Sequence, residues 1–186
     1  MLWVAEKEYK RWREEVESHP SLALYNAAMP HTGPMLYSFW CSDSAVRKLA
    51  GLRAAASPLM DDRARTGAAR GNRGICPLCG VHRETTGHFL VHCAKLSGTR
   101  RNSFRVMKEW LREVKGGVEC WNWVEDKKSI MELVTILVGG GGMDDWIGSN
   151  EGLSKWEKGD LYRIWYKGLS VFIESMWKER KRLIRG

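Results

Sequence analysis

The stretch ICPLCGVHRETTGHFLVHC, residues 75–93, decides how the rest of the chain is read. Cys76 and Cys79 have two residues between them; eight residues follow, then His88, four more residues and Cys93. A C-x2-C pair lets one tight turn aim two sulfurs at a single point. Gly80 stands where that turn asks for a residue without Cβ strain. Four thiolates and imidazoles are what a zinc ion takes in a structural site. The second half of the stretch reads as a short helical segment, with Thr85 or Thr86 to cap it and His88 in its first turns. His92 is four residues from His88 and shares its helix face, whereas Cys93 is five away and needs the helix to loosen at its end. The softer thiolate, and the frequency of Cys3His among structural zinc sets, favour Cys93. The expected ligands are therefore Cys76, Cys79, His88 and Cys93. His92 is the alternative to Cys93, and His82, in the intervening loop, is a weaker candidate. Ordinary buried cysteines and surface histidines are the competing reading. It fits poorly with three of the five cysteines falling within eighteen residues.

Around this stretch lies a chain of 186 residues, enough for one domain with a real core or a domain with an appendage. Ten tryptophans spread from Trp3 to Trp177 suggest packing anchors rather than one aromatic box. Cys41 and Cys120 are left over and no disulfide framework is implied, which fits a reducing compartment. The opening MLWVAEKEYKRW is charged too early for a signal peptide, and no apolar run reaches the length of a membrane span. The expectation is a soluble intracellular protein with no membrane contact, the nucleus among its possible compartments. The net charge of +8 is unevenly placed. Residues 61–108 carry ten basic and three acidic side chains, and residues 178–186 carry five and one. Residues 109–177, by contrast, are net acidic. A basic excess localised around the cysteines is an electrostatic footprint for phosphate, although a solvated face would look the same.

Helical periodicity runs through the remainder. Residues 3–18 read as a loosely amphipathic helix, ended by His19-Pro20-Ser21, with a short helix over Leu22 to Ala28. Pro30, Gly33 and Pro34 make a loop. Ser42, Asp43 and Ser44 are N-cap candidates for a helix over Ala45 to Ala56 that buries Val46, Leu49, Ala50 and Leu52 and turns Arg47, Lys48 and Arg53 outward. Residues 61–74, DDRARTGAARGNRG, read as a mobile loop or short helix leading into the cysteine turn. Helices are expected over 97–115, 128–138 and 153–184. The last has a buried stripe of Leu161, Ile164, Trp165, Leu169, Phe172, Met176 and Leu183. Residues 116–126 read as a linker or short turn, and Gly139 to Gly142 as a flexible connection. The fold class is mainly α, a helical domain with an embedded small CCHC zinc finger. It divides into an N-terminal helical segment (1–60), the zinc-binding motif with its basic approach (61–96) and a C-terminal helical region (97–186).

With its flanks, the stretch resembles the C-terminal tail of reverse transcriptases from non-LTR retrotransposons, where a zinc-binding domain follows the polymerase. The matching text is LAGLRAAASPL (49–59), then residues 75–93, then RRNSFRVMKEW (100–110). Weaker echoes lie in ELVTILVGGGG (132–142) and VFIESMWKERKRL (171–183). The resemblance implies that Cys76, Cys79, His88 and Cys93 are the ligands and that Glu84 and Thr85 belong to the motif's scaffold. It also implies that the flanking basic residues meet RNA or DNA, with a polymerase body on the N-terminal side.

Catalysis finds little support. No Y-x-D-D-like stretch offers the paired aspartates of a polymerase; Asp61-Asp62 and Asp144-Asp145 stand in loop-like contexts where adjacent acids are usually solvated. Gly139 to Gly142 lacks the following Lys-Ser or Lys-Thr of a phosphate loop. A metal-dependent hydrolase would need an open zinc position, which four ligands close. Trp121 and Trp123 suit a core better than base stacking, and KERKRLIRG (178–186) reads either as a nuclear-import or phosphate-binding run or as a helix end matching its dipole. The expected function is a non-catalytic zinc module that contacts phosphates through Arg70, Arg73, Arg100, Arg101 and Arg105. The alternative is a structural or protein-interaction domain in which zinc only stabilises the fold. Loss of zinc is expected to melt residues 61–96 locally and leave the C-terminal helices intact.

Overall fold

The computed structural model describes residues 10–11, 13–28, 37–68, 71, 73–127, 129–139 and 141–185. Trp3, Val4, Tyr9 and Trp12 of the expected first helix, the loop at Pro30, Gly33 and Pro34, and Arg70 lie outside these residues. A helical stretch through 13–18 and a 3-10 turn (Pro20–Leu22) lead into α1 (Ala23–Ala28), α2 (Tyr37–Trp40), α3 (Asp43–Arg53) and α4 (Met60–Arg65). A π turn (His88–His92) and a 3-10 turn (Ala94–Leu96) precede α5 (Ser97–Arg112), α6 (Gly117–Glu125), α7 (Ile130–Leu137), α8 (Gly141–Ser149) and α9 (Lys155–Arg185). The fold is mainly α. Among the described residues the sole extended pairing is an antiparallel bridge between Ile75 and Arg83.

Helix α9 is the axis. It is opened by a capping box, in which the Ser154 N–H donates to Glu157 at 2.7 Å and the Glu157 N–H donates to the Ser154 hydroxyl at 3.4 Å. Leu161, Trp165, Leu169, Phe172 and Met176 recur at three- and four-residue spacing and are all buried, with Tyr166, Ile173 and Trp177 widening the stripe. Against it lies α5. Met107 meets α9 at Gly168, and Phe104 stacks on Phe172 with ring centroids 5.1 Å apart, so the two helices run antiparallel. A Cβ at Gly168 would stand 2.7 Å from Met107 Cγ, and its absence lets the helices approach closely. Helices α2, α3 and α8 cover further sides of α9, and α7 packs on α1, α8 and the π turn. One continuous apolar core includes Leu49 and Leu52 of α3, Cys76, Phe89, Leu90 and Cys93 of the cysteine stretch, and the α9 stripe. Residues 1–60, 61–96 and 97–186 thus contribute to a single interior.

Four expectations change. Within residues 116–126 the expected linker or short turn is replaced by helix α6, Gly117–Glu125. Gly116 takes φ +78°, and a Cβ on Gly117 would fall 1.8 Å from the Leu111 carbonyl oxygen. The glycine pair serves a tight corner, after which Cys120, Trp121 and Val124 are buried. Of the glycine run expected to be a flexible connection, Gly139 takes φ +78° in a turn, and Gly141 and Gly142 belong to α8, in which Met143 and Ile147 are fully buried. Arg53 turns inward rather than outward, 2% exposed, with its Nε directed at the Leu49 carbonyl 3.5 Å away. Ala50 is exposed rather than facing the core. Other readings stand. Ser42 caps α3, its hydroxyl accepting from the Ala45 N–H at 3.1 Å. The helix expected over 128–138 forms as α7, and the structure adds a capping box at Ser129 and Glu132 that opens it. Trp123 packs against Trp146, with ring centroids 5.9 Å apart.

Asp144 ties α8 to α9. Its carboxylate accepts from the Tyr166 hydroxyl at 2.5 Å, and its carbonyl accepts from the Tyr162 hydroxyl at 2.9 Å. Burial pushes this carboxyl up to about 6, against the opposing pull of the Tyr166 bond. A raised carboxyl favours the folded state most when protonated. The contribution is therefore complete below about 4 and is lost as pH rises through about 6. Asp144→Asn removes the titration and keeps an acceptor. The variant is expected to match the wild type in thermal stability near pH 4 and to exceed it at pH 8. Parallel melting-temperature profiles for the two proteins across that window would refute the assignment.

Candidate metal centre

The cysteine turn is set by a two-rung hairpin. The Cys76 N–H donates to the His82 carbonyl at 2.8 Å, and the Glu84 N–H donates to Gly74 at 2.7 Å. Between the rungs the Gly80 N–H closes on the Cys76 carbonyl at 2.9 Å, and Gly80 itself sits at φ +68°, a conformation glycine adopts without Cβ strain. Thr85 is the cap that starts the next turn. Its hydroxyl accepts from the His88 N–H at 3.1 Å, while Thr86 donates instead to the Leu52 carbonyl at 3.3 Å.

From His88 onward the helix widens. The Cys93 N–H donates to the His88 carbonyl at 2.7 Å, a five-residue closure. In a regular α-helix a residue five along points about 140° away from its predecessor, and one four along only about 40° away. That is why His92 looks aligned in the sequence. The π turn absorbs the extra residue, so Cys93 reaches the centre and His92 remains exposed outside it. His82 is exposed as well, its ring centroid 5.6 Å from that of His88.

The donor atoms of Cys76, Cys79, His88 and Cys93 all lie within 4.8 Å of one another. Cys76 and Cys93 sulfurs are 3.9 Å apart, and the Cys79 sulfur is 3.5 Å from His88 Nε2. With metal–sulfur bonds of about 2.3 Å and metal–nitrogen bonds of about 2.0 Å, the edges of a tetrahedral site are about 3.8 Å and 3.5 Å. The residues therefore fit one tetrahedral ion. Four donors would complete the coordination of such an ion, and Cys76, His88 and Cys93 are buried. Burial pushes the Cys76 thiol up to about 12, opposed by backbone amides from Cys79 and Leu78. Amides of His82 and Val81 hold the Cys79 thiol below its usual range. Burial, with His82 next, lowers His88 and favours the neutral imidazole that a metal requires.

Outside the donors, Glu84 is 1% exposed, with an oxygen 3.9 Å from the Cys76 sulfur. It receives both Arg180 Nε and Nη2 at 2.7 Å and the Met60 N–H at 2.7 Å. This bidentate pair clamps the hairpin to the last turns of α9. Arg180 is absent from the residues expected of the site, being one of five cations in the terminal run. Its signal was periodicity: it falls four residues after Met176, on the same buried stripe.

Of the five arginines expected to contact phosphate, the four described are placed differently from one another. Arg73 and Arg101 are exposed. Arg100 instead donates to the carbonyls of Leu90 at 2.7 Å and Cys93 at 3.1 Å, satisfying the end of the π turn. Arg105 pairs with Glu109 at 2.8 Å and Asn102 at 2.9 Å. Of the acid pairs, Asp61 pairs with Arg83 at 2.5 Å and Asp62 accepts from the Ser57 N–H at 3.1 Å. Fold and site together define an α-helical protein built around a Cys3His cluster whose donors lie close enough to hold a metal ion. No family model, curated protein or solved structure matches the chain. Among the described residues no helix is long and apolar enough to cross a membrane.

Proposed function

We propose that the cluster holds zinc as a structural ion and that the chain is a non-catalytic nucleic-acid-binding module. It would be of the kind that follows the polymerase in non-LTR retrotransposon reverse transcriptases. Zinc is the ion that three thiolates and one imidazole in a tetrahedron favour. With all four positions taken by side chains, no site remains for a substrate or an activated water. The observation that carries the nucleic-acid reading is the meeting of two basic segments far apart in sequence. Antiparallel packing of α5 on α9 brings the start of α5, with exposed Lys95 and Arg101 beside it, to the end of the molecule that bears exposed Lys178, Lys181 and Arg185. The cysteine turn joins them there through Glu84 and Arg180. Such a field attracts a phosphate backbone irrespective of base sequence.

The test is binding of RNA and DNA by the full chain across a salt series. Contact with four to six phosphates gives a log K against log salt slope of about −3 to −4 for a single strand. A flat plot overturns the proposal and favours a second reading, a protein-interaction domain in which the metal only supports the fold. The observation behind that reading is a hollow of about 580 Å³ rimmed by Ile130 and Met131, which are 49% and 52% exposed.

A further inference from the structure

We infer that the strand-binding surface is the groove between α3 and the last turns of α9, and that its occupant is a single nucleic-acid strand. This rests on the nucleic-acid reading above and replaces the arginines near the cysteines as the main phosphate contacts. The groove, of about 600 Å³, has Lys48 of α3 on one wall and Lys178 and Lys181 of α9 on the other, with Ser42, Ser170 and Ser175 between them. Lys178, Lys181 and Arg185 are all exposed and recur at three- and four-residue steps, which aligns them on one helix face with about 5–6 Å between neighbouring Cβ atoms. Of the hydroxyls among the lysines, Ser42 donates to Glu174 and Ser170 to Ser42, so the phosphate contacts fall to the lysines. The one carboxylate among the lining side chains, Glu174, is already engaged. It accepts from the Ser42 hydroxyl at 2.7 Å and lies 3.8 Å from Lys48, contacts that hold its carboxyl below the usual range.

The aromatic residues argue for one strand rather than two. Phe39 and Trp40 are 66% and 42% exposed, on α2, which packs against α9 and ends two residues before Ser42. Val171, 39% exposed, lies in the groove. Exposed rings beside a track of lysines stack the bases of a single strand, whereas a duplex keeps its base faces covered. The groove is also tied to the metal cluster. Trp177 of its wall packs at a tilt against Phe89 of the π turn with ring centroids 4.7 Å apart, and Arg180, between Lys178 and Lys181, is the residue clamped by Glu84. Metal in the cluster thereby holds the α9 turns that present the lysines.

Fluorescence anisotropy of labelled 20-mers of U RNA, dT DNA and a 20-bp duplex, read with the full chain, tests this. Lys178→Gln/Lys181→Gln is expected to lose at least about tenfold in single-strand affinity and to reduce the salt slope by about 1.4, two phosphates at about 0.7 each. Phe39→Ala/Trp40→Ala should weaken single strands at least about fivefold and leave the duplex within twofold, by the stacking argument. Arg73→Gln/Arg101→Gln, which removes part of the surrounding basic field and no groove contact, should lose less than the lysine pair, about threefold, and circular dichroism and metal content confirm that each variant is folded. Binding of either single strand with these losses supports the groove, and the tighter of the two identifies the strand. If the arginine pair carries the loss and the lysine pair changes nothing, the groove is wrong and the nucleic-acid reading survives. Duplex binding as tight as the single strands overturns the single-strand occupant. If the wild type binds none of the three at low salt, the nucleic-acid reading falls and the groove with it.

Discussion

Cys93→Ser is expected to abolish metal binding at the cluster and to destabilise the end of α9, whereas His92→Ala should leave metal binding and α9 unchanged. Structural zinc contributes about 10–16 kcal/mol of apparent binding energy in small finger peptides, against about 5–15 kcal/mol for the stability of a whole domain. The sequence alone suggests that this loss stays within residues 61–96, because the flanking helices have apolar stripes of their own. The structure extends it. Cys76, Phe89, Leu90 and Cys93 share one core with Trp177, and Glu84 on the same hairpin pins Arg180. Removing the metal should therefore expose amides of residues 61–96 and also of about the last three turns of α9. The half of α9 around Leu161, Trp165 and Leu169, held by α5 and α8, should remain protected. A loss of about 3 kcal/mol or more corresponds to about 6–12 °C in Tm for a chain of this size. Metal content and hydrogen exchange on Cys93→Ser, Cys79→Ser and His92→Ala decide the matter. Equal metal loss in His92→Ala and Cys93→Ser would break the assignment of Cys93 over His92, and full retention in Cys79→Ser would end the metal assignment.

The second large effect belongs to the Glu84–Arg180 pair. Both side chains are buried, at 1% and 6% exposure, and their two parallel bonds of 2.7 Å leave neither charge facing water. Breaking one partner of such a pair leaves an uncompensated charge in the interior and costs about 3–5 kcal/mol. Glu84→Gln and Arg180→Met should each lower Tm by about 6–20 °C, at about 2–4 °C per kcal/mol. The double substitution should recover a large part of the loss, since no lone charge then remains. Scanning calorimetry of the four proteins checks both statements. Single variants within about 2 °C of the wild type would mean that water reaches the pair; a double variant as unstable as the sum would mean that the two residues act apart.

Local features of the chain were legible because their causes lie within one or two turns. Two cysteines bracketing a tight turn need only the hairpin around Gly80 to converge, and Thr85 or Ser42 caps the helix that immediately follows it. The α9 stripe follows from a 3.6-residue period over thirty-one residues, a length at which no alternative element competes. The glycine pairs misled for the same reason. Gly116-Gly117 and the run from Gly139 lower helix propensity locally, and what outweighs that is burial of Cys120, Trp121, Met143 and Ile147 against partners elsewhere in the chain.

By itself, then, the sequence determined a mainly helical chain and four donors spaced for one ion. The softness of the thiolate already favoured Cys93 over His92; only the tertiary structure shows how Cys93 arrives beside the other donors, through a π turn whose Phe89 and Leu90 pack into the core. It alone committed Arg180 to a carboxylate 96 residues away and Arg100 to the carbonyls of the π turn. It also gathered Lys48, Lys178 and Lys181 around one groove. Periodicity and spacing report which way a side chain faces on its own element. They carry no record of what stands opposite, and that is settled when the helices pack.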